Sequence, residues 1–202
     1  MRSSEEESLT FTQRARRAQL IESAVDVLAD GGYQAASLST IAARAGVSKG
    51  VVSYHFSGKD DLLEHVVREI FGSAGAVIAS KVALASEPPT QLHAYIESNL
   101  DYLGQHPRQI RALMEIVSNA RGEDGSLRYA SPQSDPLVGH VAHMLKTGQE
   151  TGHFGSFDTT AMAVLIRGAI DTASARLLSD PGFDLRAYAH EVLRVVTVAV
   201  AR

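Results

Sequence analysis

Between Ser37 and Phe56 the chain reads SLSTIAARAGVSKGVVSYHF, and the side chains gathered there suit contact with a polyanion. Lys49, Ser53, Tyr54 and His55 bring an ammonium, two hydroxyls and an imidazole close together. Such groups donate to phosphate oxygens and to base edges. Lys59, just beyond, adds another donor, and backbone N–H groups at Ser39 or Thr40 suit a phosphate at the start of a helix. The spacing fits two short helices crossing steeply. Ala42 is small at the crossing, Gly46 can take the left-handed turn, and Val52 fills the space between, helped by Ile41 and Val47. That is the spacing of a helix-turn-helix, with Ser48 as N-cap of its second helix. Gly50 breaks a rule, since glycine in a first helical turn costs about 1 kcal/mol relative to alanine. Close approach of the backbone to a DNA groove would explain it. Two ordinary helices of a bundle remain the alternative at this point.

The elements that must hold this stretch read as helices throughout, with no convincing strand alternation. A first helix is expected from Arg14 to Asp30, with Leu20, Ile21, Ala24, Val25 and Leu28 on one face and Gly31-Gly32 as its stop. Short helices follow at Ser39–Ala45 and Ser48–His55. A long fourth helix starts at Lys59 and runs on until Pro88 and Pro89 end it. Further helices are expected over Gln91–Leu103, Gln109–Ala120, Pro136–Thr151, Asp158–Leu178 and Asp184–Val200, with Arg121–Asp135 as a polar loop. The fold class is therefore all-α with about nine helices.

Composition narrows the function. There is no Cys, which excludes a disulfide scaffold, a Cys-ligated metal and a cysteine nucleophile. No apolar run approaches the roughly 18–20 residues of a membrane span, and the acidic start MRSSEEESLT is unlike a signal peptide, so a soluble cytoplasmic protein without membrane contact is expected. The net charge of −4 argues against nucleic acid until it is divided along the chain. Glu5, Glu6 and Glu7 make the first ten residues acidic, and residues beyond 60 are acidic in sum. Residues 11–60 alone are positive, with Arg14, Arg16, Arg17, Arg44, Lys49 and Lys59 against Glu22, Asp26, Asp30 and Asp60.

From Arg14 to Val67 the sequence resembles the DNA-binding domain of the tetracycline-repressor (TetR) family, most specifically in SLSTIAARAGVSKGVVSYHFSGKDDLLEHVV. The resemblance covers about the first third of the chain. It implies an N-terminal three-helix helix-turn-helix head, residues 11–58, and a C-terminal helical ligand-binding and dimerisation body, residues 59–202. The implied protein is a ligand-responsive transcriptional regulator, most often a repressor. Its implied partners are double-stranded operator DNA, a small-molecule effector and a second copy of itself. Carried onto this chain, Lys49, Gly50, Ser53, Tyr54 and His55 match the recognition helix, with Tyr54 and His55 on phosphates. Lys59 matches a phosphate-contacting lysine, Phe56 an aromatic that locks the head, and Arg44 a further phosphate contact. Arg14, Arg16 and Arg17 fit either an arm on the DNA or a solvated helix start.

In the body, the last two helices are apolar nearly all round, which suits a two-fold four-helix interface; an ordinary core hairpin is the other reading. Polar or aromatic residues set among apolar ones are candidate pocket lining: Tyr95, Tyr102, Met114, Asn119, His140, His143, Met144, Phe154, Arg167 and Asp171. Arg167 and Asp171, four apart on one helix, suit either ligand orientation or a salt bridge within or between subunits. The mixed lining suits a hydrophobic small molecule. No G-x-S-x-G, P-loop or G-x-G-x-x-G occurs, and the pair His140/His143 lacks an obvious third ligand, so no enzyme, cofactor or metal is expected. A helical binding module without DNA affinity is the remaining alternative.

Overall fold

The computed structural model describes residues 10–129 and 136–202, which contain nine helices. They are α1 (Phe11–Ala35), α2 (Leu38–Ala45), α3 (Lys49–His55), α4 (Lys59–Val82), α5 (Pro88–Gln105), α6 (Pro107–Asn119), α7 (Pro136–Glu150), α8 (Thr159–Ser179) and α9 (Leu185–Val200). The all-α expectation holds. The acidic run Glu5–Glu7 and the last part of the expected polar loop lie outside the described residues.

Several boundaries differ from the sequence reading for identifiable reasons. α1 starts three residues before Arg14 because Thr10 and Gln13 form a capping box, each side chain bonding the other's backbone N–H. It breaks at Gly32, where φ is 74°. Pro88 and Pro107 each open a helix, since a first-turn residue has no N–H partner to lose. Asp158 and Asp184 cap α8 and α9. Within the expected loop, Arg121 pairs with Leu127 in an isolated bridge.

The chain divides into two compact units. The first runs to Ile70 and includes Arg111–Tyr129; the second comprises Phe71–Ile110 and the chain from Pro136 onward. In the first, Leu20, Ala24 and Leu28 of α1 meet Ile41 and Ala42 of α2, Val52 of α3, Phe56, and Leu62 and Val66 of α4. Ala112 and Ile116 of α6, with Ala120, complete that core. Each large aliphatic side chain removed from water here contributes about 1.5–3 kcal/mol.

In the second unit, α5, α7, α8 and α9 pack around Leu92, Ile96, Leu100, Val141, Leu145, Ile166 and Ile170. The Tyr188 hydroxyl donates to Ala169 O at 2.7 Å and joins α9 to α8. After α7 the chain turns at Gly152 and folds back. Phe154 packs directly over Gly148, Gly155 N–H donates to Val200 O, and Gln149 Nε2 donates to the carbonyls of Gly155 and Phe157. A Cβ at residue 148 would overlap the Phe154 ring. Gly148→Ala is therefore expected to destabilise the protein by about 1–3 kcal/mol. A urea midpoint equal to wild type would show that the ring moves aside freely.

Candidate nucleic-acid interface

The geometry of α2 and α3 follows from three residues. Ala42 and Val52 are buried, and Gly46 ends α2 at φ 69°, with its N–H on the carbonyls of Ala42 and Ala43. Ser48 caps α3 by accepting from Val51 N–H. The opposite faces are open: Ser39, Thr40, Arg44, Ser48, Lys49, Gly50 and Ser53 are exposed, and Tyr54 is 73% exposed. Gly50 has no internal reason to be glycine. A Cβ there would meet only Ser48 Oγ at 3.6 Å, an ordinary contact, and its φ is not in the left-handed range.

The structure distributes the other candidates unevenly. Tyr54 OH accepts from Gln13 Nε2 at 3.3 Å, and its ring stands edge-on to His55. Burial, with the nearby charges of Arg17 and Arg16, holds the His55 imidazole below its ordinary pKa, so it is neutral at pH 7. Thr40 already spends its N–H on Ser37 Oγ at 3.1 Å. Arg44 donates to Asp30 at 2.9 Å and lies 3.8 Å from Asp26. Lys59 turns inward: its Nζ donates to Tyr33 O at 2.8 Å and sits 3.9 Å from the Tyr33 ring centre. Burial lowers the Lys59 pKa, and Asp60 opposes that shift.

Among the three early arginines, Arg17 has a defined internal role. It donates to His55 O and to His65 Nε2, the latter at 2.6 Å, and its guanidinium lies 4.5 Å from the Phe56 ring centre. A guanidinium only donates, so His65 Nε2 accepts and the ring proton sits on Nδ1, facing Asp61 O at 2.8 Å. Arg17 thus ties the end of α3 to α1 and α4. The sequence points to Arg17, His55 and Phe56 in other roles, whereas His65 and the Glu115 carboxylate, which accepts Tyr33 N–H at 2.9 Å, are not singled out by it at all. Gln13 carried a signal, three residues after Thr10; Glu115, 82 residues from Tyr33, carried none.

The ligand-pocket candidates do not form one group. Met114 and Asn119 belong to the first unit. In the second, His140 and His143 are exposed, Met144 is buried, and Phe154 is committed to Gly148. Tyr102 OH bonds Ser73 Oγ at 2.6 Å and donates to Gln109 Oε1 at 3.0 Å. Tyr95, Arg167 and Asp171 do come together, joined by Asn99, which the sequence reading missed.

Fold and surface together define a helix-turn-helix protein. Residues 20–66 match the family model "Bacterial regulatory proteins, tetR family". The chain is 40% identical over 90 residues to the HTH-type transcriptional regulator BetI 1 of Chromohalobacter salexigens, covering 44% of this chain and 45% of that protein. It is 36% identical over 91 residues to BetI of Proteus mirabilis, covering 44% and 46%. The chain thus spans about half the length of the curated relatives it matches. The fold extends further. The fatty acid degradation regulator FadR from Bacillus halodurans superposes with TM-score 0.75 at 24% identity, over 90% of this chain and 94% of that one. FadR from Bacillus subtilis, solved in complex with stearoyl-CoA, superposes with TM-score 0.73 at 19% identity, over 91% and 98%.

Arg17→Met removes two donors and leaves His55 O unpaired in a part-buried setting. The expected loss is about 1–3 kcal/mol of stability, against within about 0.5 kcal/mol for Arg14→Ala on the exposed side of α1. Equal thermal midpoints for the two variants would remove the clamp from the account.

Proposed function

We propose that the chain is a ligand-responsive transcriptional regulator, a repressor that binds a near-palindromic operator as a homodimer in the cytoplasm and is released by a hydrophobic small molecule. Residues 11–58 read the DNA, and residues 59–202 dimerise and hold the effector. The observation that carries the DNA reading is Gly50. It lies in the first turn of an exposed helix, it costs stability, and nothing inside the chain needs it. A groove edge or phosphate pressed against α3 does. Around it Lys49, Ser53 and Tyr54 present donors outward, and neutral His55 offers a hydrogen bond rather than a charge.

The experiment is a gel shift with DNA from upstream of the chain's own gene. Wild type is expected to give a complex that weakens as salt rises and exceeds its affinity for random duplex. Gly50→Ala is expected to keep or raise the thermal midpoint while lowering operator affinity at least several-fold. A variant that binds as well as wild type removes the close approach, and no preference over random DNA ends the regulator reading.

Dimerisation is supported by a face the chain leaves open. On α8, Val164 and Leu165 are exposed, the latter by 67%, and on α9 Val195 and Val198 are exposed, the latter by 68%. Gly168 on α8 has open space beside it and permits close packing. A second copy related by a two-fold axis would cover these residues, and a dimer that reads successive major grooves needs its two α3 helices about 34–36 Å apart, one turn of DNA. Leu165→Lys with Val198→Glu is expected to shift the sedimentation coefficient from dimer to monomer; an unchanged dimer moves the interface elsewhere. For the effector, the apolar interior of the second unit supports a hydrophobic molecule. The stearoyl-CoA complex of a protein with the same fold agrees with that class.

A further inference from the structure

The inward face of α8 is apolar, with Ala163, Ile166, Ile170 and Ala173 all buried, and Arg167 stands among them at 9% exposure. A guanidinium withdrawn from water needs its donors filled and its charge matched. Here neither is done well. The one carboxylate, Asp171, accepts from Nη2 at 2.9 Å but has a side chain 65% exposed, so most of its interaction is shared with water. Nη1 reaches Tyr95 OH at 3.3 Å and Asn99 Oδ1 at 3.4 Å, both long. Nε is buried and has no acceptor. The Tyr95 hydroxyl, itself 97% buried with its ring, accepts from Arg167 and so keeps its own proton to give. The fold would be served better by an apolar side chain at this position.

We propose that Arg167, with Tyr95, is the head-group site for an apolar monocarboxylate, the effector of the regulator; this rests on the ligand-responsive reading above. Nε–H and an Nη2–H form one edge of the planar guanidinium, the edge that takes both oxygens of a carboxylate side by side. Asp171 occupies half of that edge and, being mostly exposed, can swing to water when a ligand carboxylate arrives. Tyr95 O–H supplies a third donor. The groups left to meet a ligand, Nε–H, Nη2–H and Tyr95 O–H, are donors around one fixed positive charge, so a monoanion that displaces Asp171 neutralises it, whereas a phosphate dianion would leave excess charge buried. The rest of the ligand must be apolar, because the buried side chains that α5, α7 and α8 bring to this unit include Ile96, Val141, Leu145, Ile166 and Ile170. Asp171 and the exposed ring of His140, 6.1 Å from that of Tyr95, mark the side open to water.

Thermal unfolding of the full chain tests this with decanoate, methyl decanoate and inorganic phosphate as probes, on wild type and on Arg167→Met. Without additive, Arg167→Met is expected to unfold at the same temperature as wild type or higher, since it removes a poorly matched buried charge while Asp171 keeps a mostly exposed side chain. Decanoate is expected to raise the wild-type midpoint, with at least tenfold lower affinity for the ester, no shift with phosphate, and no preference for acid over ester in the variant. A variant midpoint lower by several degrees would make Arg167 a structural residue and overturn the proposal. So would equal response to acid and ester, a phosphate shift matching that of decanoate, or no response to decanoate. Operator binding in the gel shift, measured on wild type without probes, separates these outcomes: if it persists while the acid fails, only the carboxylate assignment falls.

Discussion

The first unit depends on the turn at Gly32. The backbone there takes φ 74° and ψ −178°, a region open essentially to glycine alone, and it redirects the chain between long α1 and short α2. Such a turn leaves peptide groups without helical partners at the half-buried edge of the core. Both groups of the next residue are taken by distant side chains: Tyr33 N–H by Glu115 of α6 and Tyr33 O by Lys59 of α4. A charged partner makes each bond stronger than a neutral one would be. The direction in which α2 leaves, and through Gly46 and Val52 the attitude of α3, is thereby set by a carboxylate and an ammonium far away in sequence. A side chain at residue 32 would violate the turn and press on Glu115 Oε2, 3.2 Å from where its Cβ would lie.

This use of charge changes what the positive balance of residues 11–60 means. Arg17 is spent behind Phe56, Arg44 is paired with Asp30, and Lys59 has turned to Tyr33. The three commitments differ in strength. The Arg44–Asp30 pair is exposed, worth about 0–1 kcal/mol, and a phosphate can compete for it. Lys59 is fixed by a part-buried carbonyl and an aromatic face and offers a phosphate only its remaining N–H groups. Arg17 offers nothing outward without undoing the end of α3. The balance of residues 11–60 stays small, so in the proposed regulator a long-range field does little, and affinity would rest on fit at α3 and on two heads acting together.

What the sequence revealed follows the range of the interactions. Ala42, Gly46, Val52 and Ser48 constrain one another within a dozen residues, so the helix-turn-helix was legible in the spacing alone. Helix stops at Gly31-Gly32 and at Gly46 were legible for the same reason. Pro88 reads as the end of the fourth helix because proline marks either side of a helix boundary, and here it opens α5, as Pro107 opens α6. Ala112 and Ile116 in the first core, Glu115 on the Gly32 turn, and the inward Lys59 are long-range pairings that no local pattern encodes. The pocket candidates scattered for a related reason: polarity among apolar neighbours marks a residue as unusual, but whether it meets Gly148, as Phe154 does, or a buried arginine, as Tyr95 does, is decided by packing.

Gly50 and Arg167 share a logic that the rest of the chain sharpens by contrast. At several positions a locally unfavourable residue has a visible compensation: Gly32 has its turn, Gly148 its aromatic ring, Arg17 its carbonyl, imidazole and ring face. Gly72, Gly75, Gly139 and Gly168 stand open inside helices as Gly50 does, but Gly50 alone of these lies beside Lys49, Ser53 and Tyr54. Gly50 gives up helix stability on an open surface, and Arg167 gives up solvation in an apolar interior with Nε unpaired. Departures without internal compensation point to something outside the chain. They lie one in each unit, the first against a surface of outward donors and the second beside a tyrosine proton and a displaceable carboxylate. A regulator needs two such places, one for the polymer it reads and one for the molecule that informs it.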